Sequence, residues 1–187
     1  MTSPKYFINW TTFKKSWEDV TVAHWLKYPN PFSNHVLSEE CFTSDPSRVQ
    51  DVVERRVEDG KLCTVRFIVK KQRIPASLMW MVPNRHKACY VKETSVIDPV
   101  NQECTITTEN LNCRFISLVI ETLKYKGVKM CETVMERRTL ISSKIDRIQN
   151  YTFERYQKNI VNTDKGMMCV LGLLDECQRQ GLTGHLA

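Results

Sequence analysis

The chain has 187 residues, enough for one domain with a proper core, and 26% charged against 42% hydrophobic residues excludes wholesale disorder. Lys and Arg number 27 against 21 Asp and Glu, a net charge of +6 that favours anionic partners such as phospholipid or nucleic acid without choosing between them. No run of about 18 apolar residues occurs, so no membrane span is predicted.

The start, KYFINW followed soon by Glu18 and Asp19, has neither the apolar segment of a signal peptide nor the arginine-rich pattern of a transit peptide. Residues 5–13 (KYFINWTTF) are aromatic and β-branched and predict a first strand. Ser16 is placed to cap a helix over about 17–28, with Glu18 and Asp19 in its first turn and Val22, Trp25 and Leu26 as its apolar stripe. Pro29 and Pro31 end it. From Val36 to about Tyr125 strand follows strand. In 62–71, Cys63, Val65, Phe67 and Val69 alternate with Thr64, Arg66, Ile68 and Lys70. Further strands are predicted at 88–97, 103–110, 115–125 and 129–142, with turns at Asp98-Pro99 and Lys126-Gly127. Short connections in series argue for an antiparallel meander. The apolar stretch RIPASLMWMVPN (73–84) interrupts it, bracketed by Pro75 and Pro83. A helical pattern then runs from about Ser143 to Gln180, punctuated by Gly166 and Gly172. The expected class is α+β: a helix, a large antiparallel sheet and a long closing helix. Residues 1–180 form one domain and 181–187 a short C-terminal tail.

Motifs for chemistry are sparse. The eight cysteines show no CxxC pair and no zinc spacing, and most, like Cys63 and Cys169, sit in apolar runs, so they read as reduced, buried small hydrophobes. His24, His35, His86 and His185 are scattered, and each alone reads as structural or surface. Glu39-Glu40 and Asp175-Glu176 read as solvated. No hydrolase, nucleotide or dinucleotide motif occurs. The expectation is a protein that is not an enzyme and needs no cofactor or metal. Arg66 and Lys70 share one strand face, which pattern alone reads as solvated. Arg155, Asn159, Asn162 and Gly166 form one polar helix stripe, which also reads as solvent-facing.

At 27–37 the chain reads KYPNPFSNHVL. This resembles the signature of the PRELI/MSF1 family, and the likeness continues in order through DGKLCTVRFIVKKQRIP, SVIDPVNQ, TITTENLN and ERYQKNIVNTDKGM, spanning about residues 5–176. The resemblance implies a curled antiparallel sheet of about seven strands with an N-terminal helix, a lid loop and a long C-terminal helix enclosing a lipid cavity. It implies transfer of phosphatidic acid between the outer and inner mitochondrial membranes from the intermembrane space, touching each membrane transiently and peripherally. It also implies a heterodimer with a small helical twin-Cx9C protein. Position by position, it places Lys27, His35, Arg66, Lys70, Arg155 and Asn159 around the lipid headgroup. Arg73, Ile74, Leu78, Met79, Trp80 and Met81 become the lid that meets the membrane.

The phosphatidylserine-carrying slowmo branch tends to lack the histidine at His35, which favours phosphatidic acid; phosphatidylserine transport is the alternative cargo. Departures from the family pattern keep a third reading, a member that binds the partner but moves no lipid. Residues Cys41 to Gln50 resemble an insertion in the second strand. Asn162 stands where the family has lysine, and Ala76-Ser77 replaces a tryptophan-bearing start to the lid. A nucleic-acid role is not expected, because the paired aromatics of an RNP motif are missing.

Overall fold

The computed structural model describes residues 3–28, 30–32, 52–71, 88–112 and 117–180. His35, the Cys41–Gln50 segment, the 73–84 segment with all six predicted lid residues, and the tail lie outside the described residues. The elements in chain order are β1 (Lys5–Phe13), α1 (Trp17–Leu26), β2 (Val52–Glu58), β3 (Lys61–Lys71), β4 (Ala88–Asp98), β5 (Glu103–Asn110), β6 (Leu118–Lys129), β7 (Glu132–Ser142) and α2 (Asp146–Arg179). They form the expected α+β fold. The strands make one seven-stranded sheet in the order β1-β7-β6-β5-β4-β3-β2, and every neighbouring pair is antiparallel. The meander from β2 to β7 is thus continuous, and β1 returns to pair with the last strand.

Local chemistry sets the boundaries. Asp59 and Gly60 adopt positive φ at the tip of the β2–β3 hairpin, the backbone that a two-residue hairpin turn demands. Asp98 closes the next tip by accepting from the Asn101 backbone N–H at 3.0 Å, as the Asp-Pro pair predicts. Ser16 caps α1, its Oγ accepting from the Asp19 N–H at 3.1 Å. Ahead of α2, whose N-cap Ile145 offers no side-chain cap, buried Gln149 accepts from the Ser143 N–H at 2.9 Å and donates to the Ser3 carbonyl at 2.8 Å.

Several expectations are corrected. The stripe Val22, Trp25 and Leu26 is not the packed face of α1. Val22 and Leu26 are exposed, whereas Trp17, Val20, Ala23 and His24 are buried. The helix turns the face that includes a histidine toward the core because Tyr125 waits there with a hydroxyl. Lys126-Gly127 is not a turn but part of β6, which bulges between Gly127 and Lys129. Gly127 answers a close approach instead: a Cβ there would lie 2.6 Å from Gln102 Oε1 and 3.1 Å from Trp17 Cβ. The closing helix is found as expected: α2 runs 34 residues through both Gly166 and Gly172. Of the described cysteines only Cys104 is buried, and Cys131 is exposed.

The apolar core lies between α1, the C-terminal part of α2 and the inner faces of β5–β7. Phe13, Trp17, Val20, Ile106, Leu123, Tyr125, Met135, Met167 and Leu171 build it. Farther toward its N-terminus, α2 fills its space less completely. Phe153, Tyr156, Asn159, Ile160 and Thr163 continue the same helix face yet all keep partial exposure. Phe153 meets Phe7 of β1 edge to face at 5.5 Å, so this face is turned to the sheet. The described side chains therefore do not close the space between the middle of α2 and the sheet.

Candidate functional site

Alternation along the strands decides which residues look into that space. On β3 the inner set is Thr64, Arg66 and Ile68, all buried, so the face expected to be solvated is the interior one. Registry then lines up a polar belt across the sheet. One rung runs Arg66, Glu93, Thr108, Glu121 and Thr139 from β3 to β7. The next carries Thr64 and Ser95 at one side and Arg137 at the other. On the core side of this belt follow Leu62, Ile97, Cys104, Tyr125 and Met135. Beyond it on the other side stand Ile68 and Val91, and Val119 opposite Ile141. Charge is thus concentrated in a band flanked by largely apolar rungs, with Lys70 standing beyond it on β3.

Two ionic clusters occupy the band. In the first, Arg66 Nε donates to Glu93 Oε1 at 2.5 Å, with both side chains almost wholly buried. The guanidinium stacks on Trp25, 4.5 Å from its ring centroid, an arrangement that suits a desolvated cation. Lys27 follows α1 with its Nζ 4.0 Å from Glu93 Oε2 and 3.0 Å from His24 Nε2. With Nε2 accepting from Lys27, the neutral His24 ring carries its proton on Nδ1 and donates to Tyr125 Oη at 2.9 Å. Burial foremost, and then the Lys27 charge, push the His24 pKa down to about 4, so the ring is neutral at physiological pH. Burial works against the Glu93 carboxylate, but Lys27, His24 and Arg66 outweigh it and hold its pKa well below the usual range. Two cations share one carboxylate, leaving a net positive cluster.

In the second cluster, Arg137 of β7 donates from Nη2 to Asp164 of α2 at 2.9 Å, and its Nε lies 3.4 Å from Glu121 of β6. Asp164 also accepts from Thr11 of β1 at 3.0 Å. One guanidinium thereby ties the long helix to the sheet. Lys70 is half-buried on the inner side of β3. Burial alone would lower its pKa, but Tyr28, Tyr156, Glu121 and Glu93 together raise it above the ordinary lysine value. Tyr156 belongs to α2 and Glu121 to β6, so groups from two other elements bear on the Lys70 charge. Burial, above all, pushes the Tyr156 hydroxyl up to about 12.

The six headgroup positions expected from sequence therefore divide. Lys27 and Arg66 come together in the Glu93 cluster. Lys70 faces inward opposite Tyr156. Arg155 and Asn159 are half-buried on α2, Arg155 Nη1 reaching toward Tyr151 Oη at 3.5 Å, while Asn162 is exposed. Sequence reading missed His24, Glu93, Glu121, Arg137 and Asp164. The signal available was parity: Glu93 shares its phase with Val91 and Ser95, and Arg137 with Met135 and Thr139, so each falls on a buried face.

Comparison with known proteins bears on both fold and family. Residues 18–177 match the sequence profile described as the PRELI-like family. PRELI domain-containing protein 1, mitochondrial, of Homo sapiens is 32% identical over 178 residues, covering 91% of this chain and 76% of that protein. Protein ups1 homolog of Schizosaccharomyces pombe is 32% identical and covers 86% of this chain and 91% of its own. Protein UPS1, mitochondrial, of Saccharomyces cerevisiae is 26% identical with 89% and 92% coverage. Among solved structures, the Zhui aromatase/cyclase from Streptomyces sp. R1128 superposes with a TM-score of 0.56 at 9% identity, covering 94% and 96% of the two chains. A protein from Thermus thermophilus gives 0.55 at 14% identity, covering 91% and 99%. These last two establish the helix-grip fold alone.

Proposed function

The chain belongs to the PRELI-like family, and from that premise we propose that it is a carrier of phosphatidic acid between the two mitochondrial membranes, working in the intermembrane space and not as an enzyme. The observation that carries this reading is the polar belt, a charged band set inside an otherwise apolar face, beneath a helix whose inner side is only partly covered.

The physics of extraction asks for such a layout. A two-chain phospholipid hides about 30 methylenes in the bilayer, each worth ~0.8 kcal/mol, so an apolar enclosure must replace about 25 kcal/mol of burial. The phosphate must find cations at once, because burying it unpaired costs several kcal/mol. Lys70 is the described cation set to meet it, with Arg155 and Asn159 approaching from α2. Lys27 and Arg66, committed to Glu93, act through the net positive field of their cluster. His35 completes the headgroup set, and Arg73 with Ile74, Leu78, Met79, Trp80 and Met81 forms the membrane-facing lid. Trp80 suits the headgroup level, and Lys70, Lys71 and Arg73 each add about 1 kcal/mol of attraction to an anionic surface. A small helical twin-Cx9C protein is the proposed partner.

The test is transfer of fluorescent lipid between donor and acceptor vesicles, comparing phosphatidic acid, phosphatidylserine and phosphatidylcholine with the native chain and with Lys70→Glu. Selective phosphatidic acid transfer, lost in the variant, is expected. Selective phosphatidylserine transfer would move the cargo to the alternative, and no transfer from the folded protein would leave a family member that moves no lipid.

A further inference from the structure

The two ends of the fold carry charge differently. One end holds the tips of the β2–β3, β4–β5 and β6–β7 hairpins, the start of α1 and the end of α2. Its lysines are spent on neighbours: Lys14, Lys15, Lys61, Lys126 and Lys129 stand 2.5–3.8 Å from Glu132, Asp175, Asp98, Glu103 and Glu132 in turn. Exposed Glu18, Asp59 and Glu176 add further acid. The opposite end comprises the start of β1, the β7–α2 junction and the first turns of α2. Gln149 ties these together, accepting from the Ser143 N–H and donating to the Ser3 carbonyl. Lys5 follows on β1 opposite Ile141, its Nζ 4.9 Å from the Phe153 ring centroid of α2. Lys144 and Arg147 flank the junction with Asp146 between them; both cations are exposed, and among the described residues neither has an ion pair. Registry brings the start of β4 to the same end, because Lys71 pairs with Ala88 and Leu118 with Ser142. Tyrosines surround it: Tyr6 is 51%, Tyr90 43% and Tyr151 36% exposed. The space under α2 stays open toward this end, since the core of Phe13, Trp17, Met167 and Leu171 fills the other.

We propose that this end, apart from the lid, is a docking platform for an anionic lipid surface: Lys5, Lys144 and Arg147 meet the phosphates while Tyr6, Tyr90 and Tyr151 enter the headgroup layer. The protein then stands on its end with the open space toward the bilayer. Cations without a resident carboxylate gain most from an anionic surface, because no existing pair has to be given up. The hairpin end, with its lysines paired and its carboxylates exposed, is turned away by the same field. Tyrosine suits the interface, its ring apolar and its hydroxyl wet. Three exposed tyrosines on three separate elements, set around the open end, match a broad soft surface and not a single strand of stacked bases. This inference rests on the lipid-carrier reading and gives that site its approach to the membrane.

The experiment is flotation of the full chain with phosphatidylcholine vesicles, made with and without phosphatidylglycerol, at low and high salt. The native chain should bind the anionic vesicles, release them at high salt and ignore pure phosphatidylcholine. Lys144→Gln/Arg147→Gln should weaken binding about fivefold for each charge removed, with an unchanged melting temperature because both side chains are exposed. Lys126→Gln/Lys129→Gln removes the same net charge from the hairpin end and should bind as the native chain does. Tyr6→Ser/Tyr151→Ser should also weaken binding while keeping its salt dependence. If the Lys144/Arg147 double variant does not fold, the single variants Lys144→Gln and Arg147→Gln decide. Unchanged binding in the folded junction variants overturns the proposal. Equal loss in the hairpin-end variant also overturns it, because net charge alone would then account for binding. A native chain that binds heparin but no vesicle assigns the cations to another polyanion and refutes the platform. Phosphatidic acid offered in detergent, without a bilayer, tests the carrier reading separately. Uptake of that lipid without vesicle binding sinks the platform alone, and vesicle binding without uptake sinks the carrier reading.

Discussion

Removing Arg66 probes the first ionic cluster most directly. The Arg66 side chain is 1% exposed and that of Glu93 is 2% exposed, so solvent screens little of their interaction. Arg66→Met takes away the 2.5 Å partner and leaves Glu93 with Lys27 at 4.0 Å and neutral His24 at 3.6 Å. Breaking a buried pair by deleting one member costs about 3–5 kcal/mol, and residual attraction to Lys27 puts this case near the lower end. With a urea m-value of about 2 kcal/mol/M, a loss of ~3 kcal/mol moves the unfolding midpoint down by about 1.5 M. The double variant Arg66→Met/Glu93→Leu removes the stranded carboxylate and packs apolar volume in its place. It should recover more than half of the loss, because exchanging both partners of a buried pair for hydrophobic residues is often neutral. Urea unfolding followed by tryptophan fluorescence reads both. A midpoint shift of less than about 0.5 M for the single variant, or a double variant no better than the single, would refute the reading of Arg66 and Glu93 as a coupled buried pair.

Further outcomes follow from the same geometry. His24 is held to a pKa of about 4 in the fold against 6.5 when unfolded, so the unfolded chain binds the proton first as pH falls. Stability should be level above about pH 6.5 and decline by about 3 kcal/mol toward pH 4, with Glu93 adding a further loss below its ordinary range. Urea midpoints measured from pH 7.5 to 4.5 check this, and a flat profile would contradict a buried neutral histidine. The two helical glycines should respond with opposite signs. Gly172 has nothing within 4 Å of a built Cβ, so Gly172→Ala should gain about 1 kcal/mol of helix propensity. At Gly166 a Cβ would meet Asn30 at 3.1 Å, and Asn30 is fixed by bonds to the Lys27 carbonyl and the Phe32 N–H, so Gly166→Ala should lose stability in thermal melts. Converting Met79 and Trp80 to glutamate should abolish vesicle transfer with an unchanged melting temperature; equal loss of folding would remove the lid assignment.

Strand content was legible because period two survives even where the buried phase is polar. The sequence 62–71 alternates cleanly, and only the choice of inner face went astray. Hydrophobicity picked Cys63, Val65, Phe67 and Val69, whereas the fold buries Thr64, Arg66 and Ile68. The error has a physical cause: burial of Arg66 depends on Glu93, 27 residues away and cross-strand, and no local pattern holds that pairing. The same holds for α1, where His24 and Lys27 are buried through Tyr125 and Glu93 while Val22 and Leu26 face outward. Resemblance to a family supplied Lys27, Arg66 and Lys70. It did not supply the carboxylates that neutralise them, since these become visible only when strand registry is known. Gly166 was legible as a residue but not as a reason, because its partner Asn30 lies far back in the YPNP segment.

The two ionic clusters also answer a mechanical difficulty for a carrier of this design. A sheet with a helix across it would gain by collapsing onto any unfilled apolar space, because protein interiors pack densely. Here the helices are held at their stations by charge. Arg66, Lys27 and Glu93 fix α1 to β3 and β4, while Arg137 and Asp164, with Thr11, fix α2 to β7 and β1. Sliding either helix inward would break desolvated ion pairs at a cost of several kcal/mol each, more than burying one extra side chain returns. A purely apolar contact has no such directional penalty, and it would let the wall creep inward. Buried salt bridges are a poor source of net stability, but they specify distance and register. Among the described residues these ion pairs stand at the flanks of the space, while Lys70, Glu121, Arg155 and Asn159 remain half-buried, an arrangement that keeps the walls apart without filling the space between them.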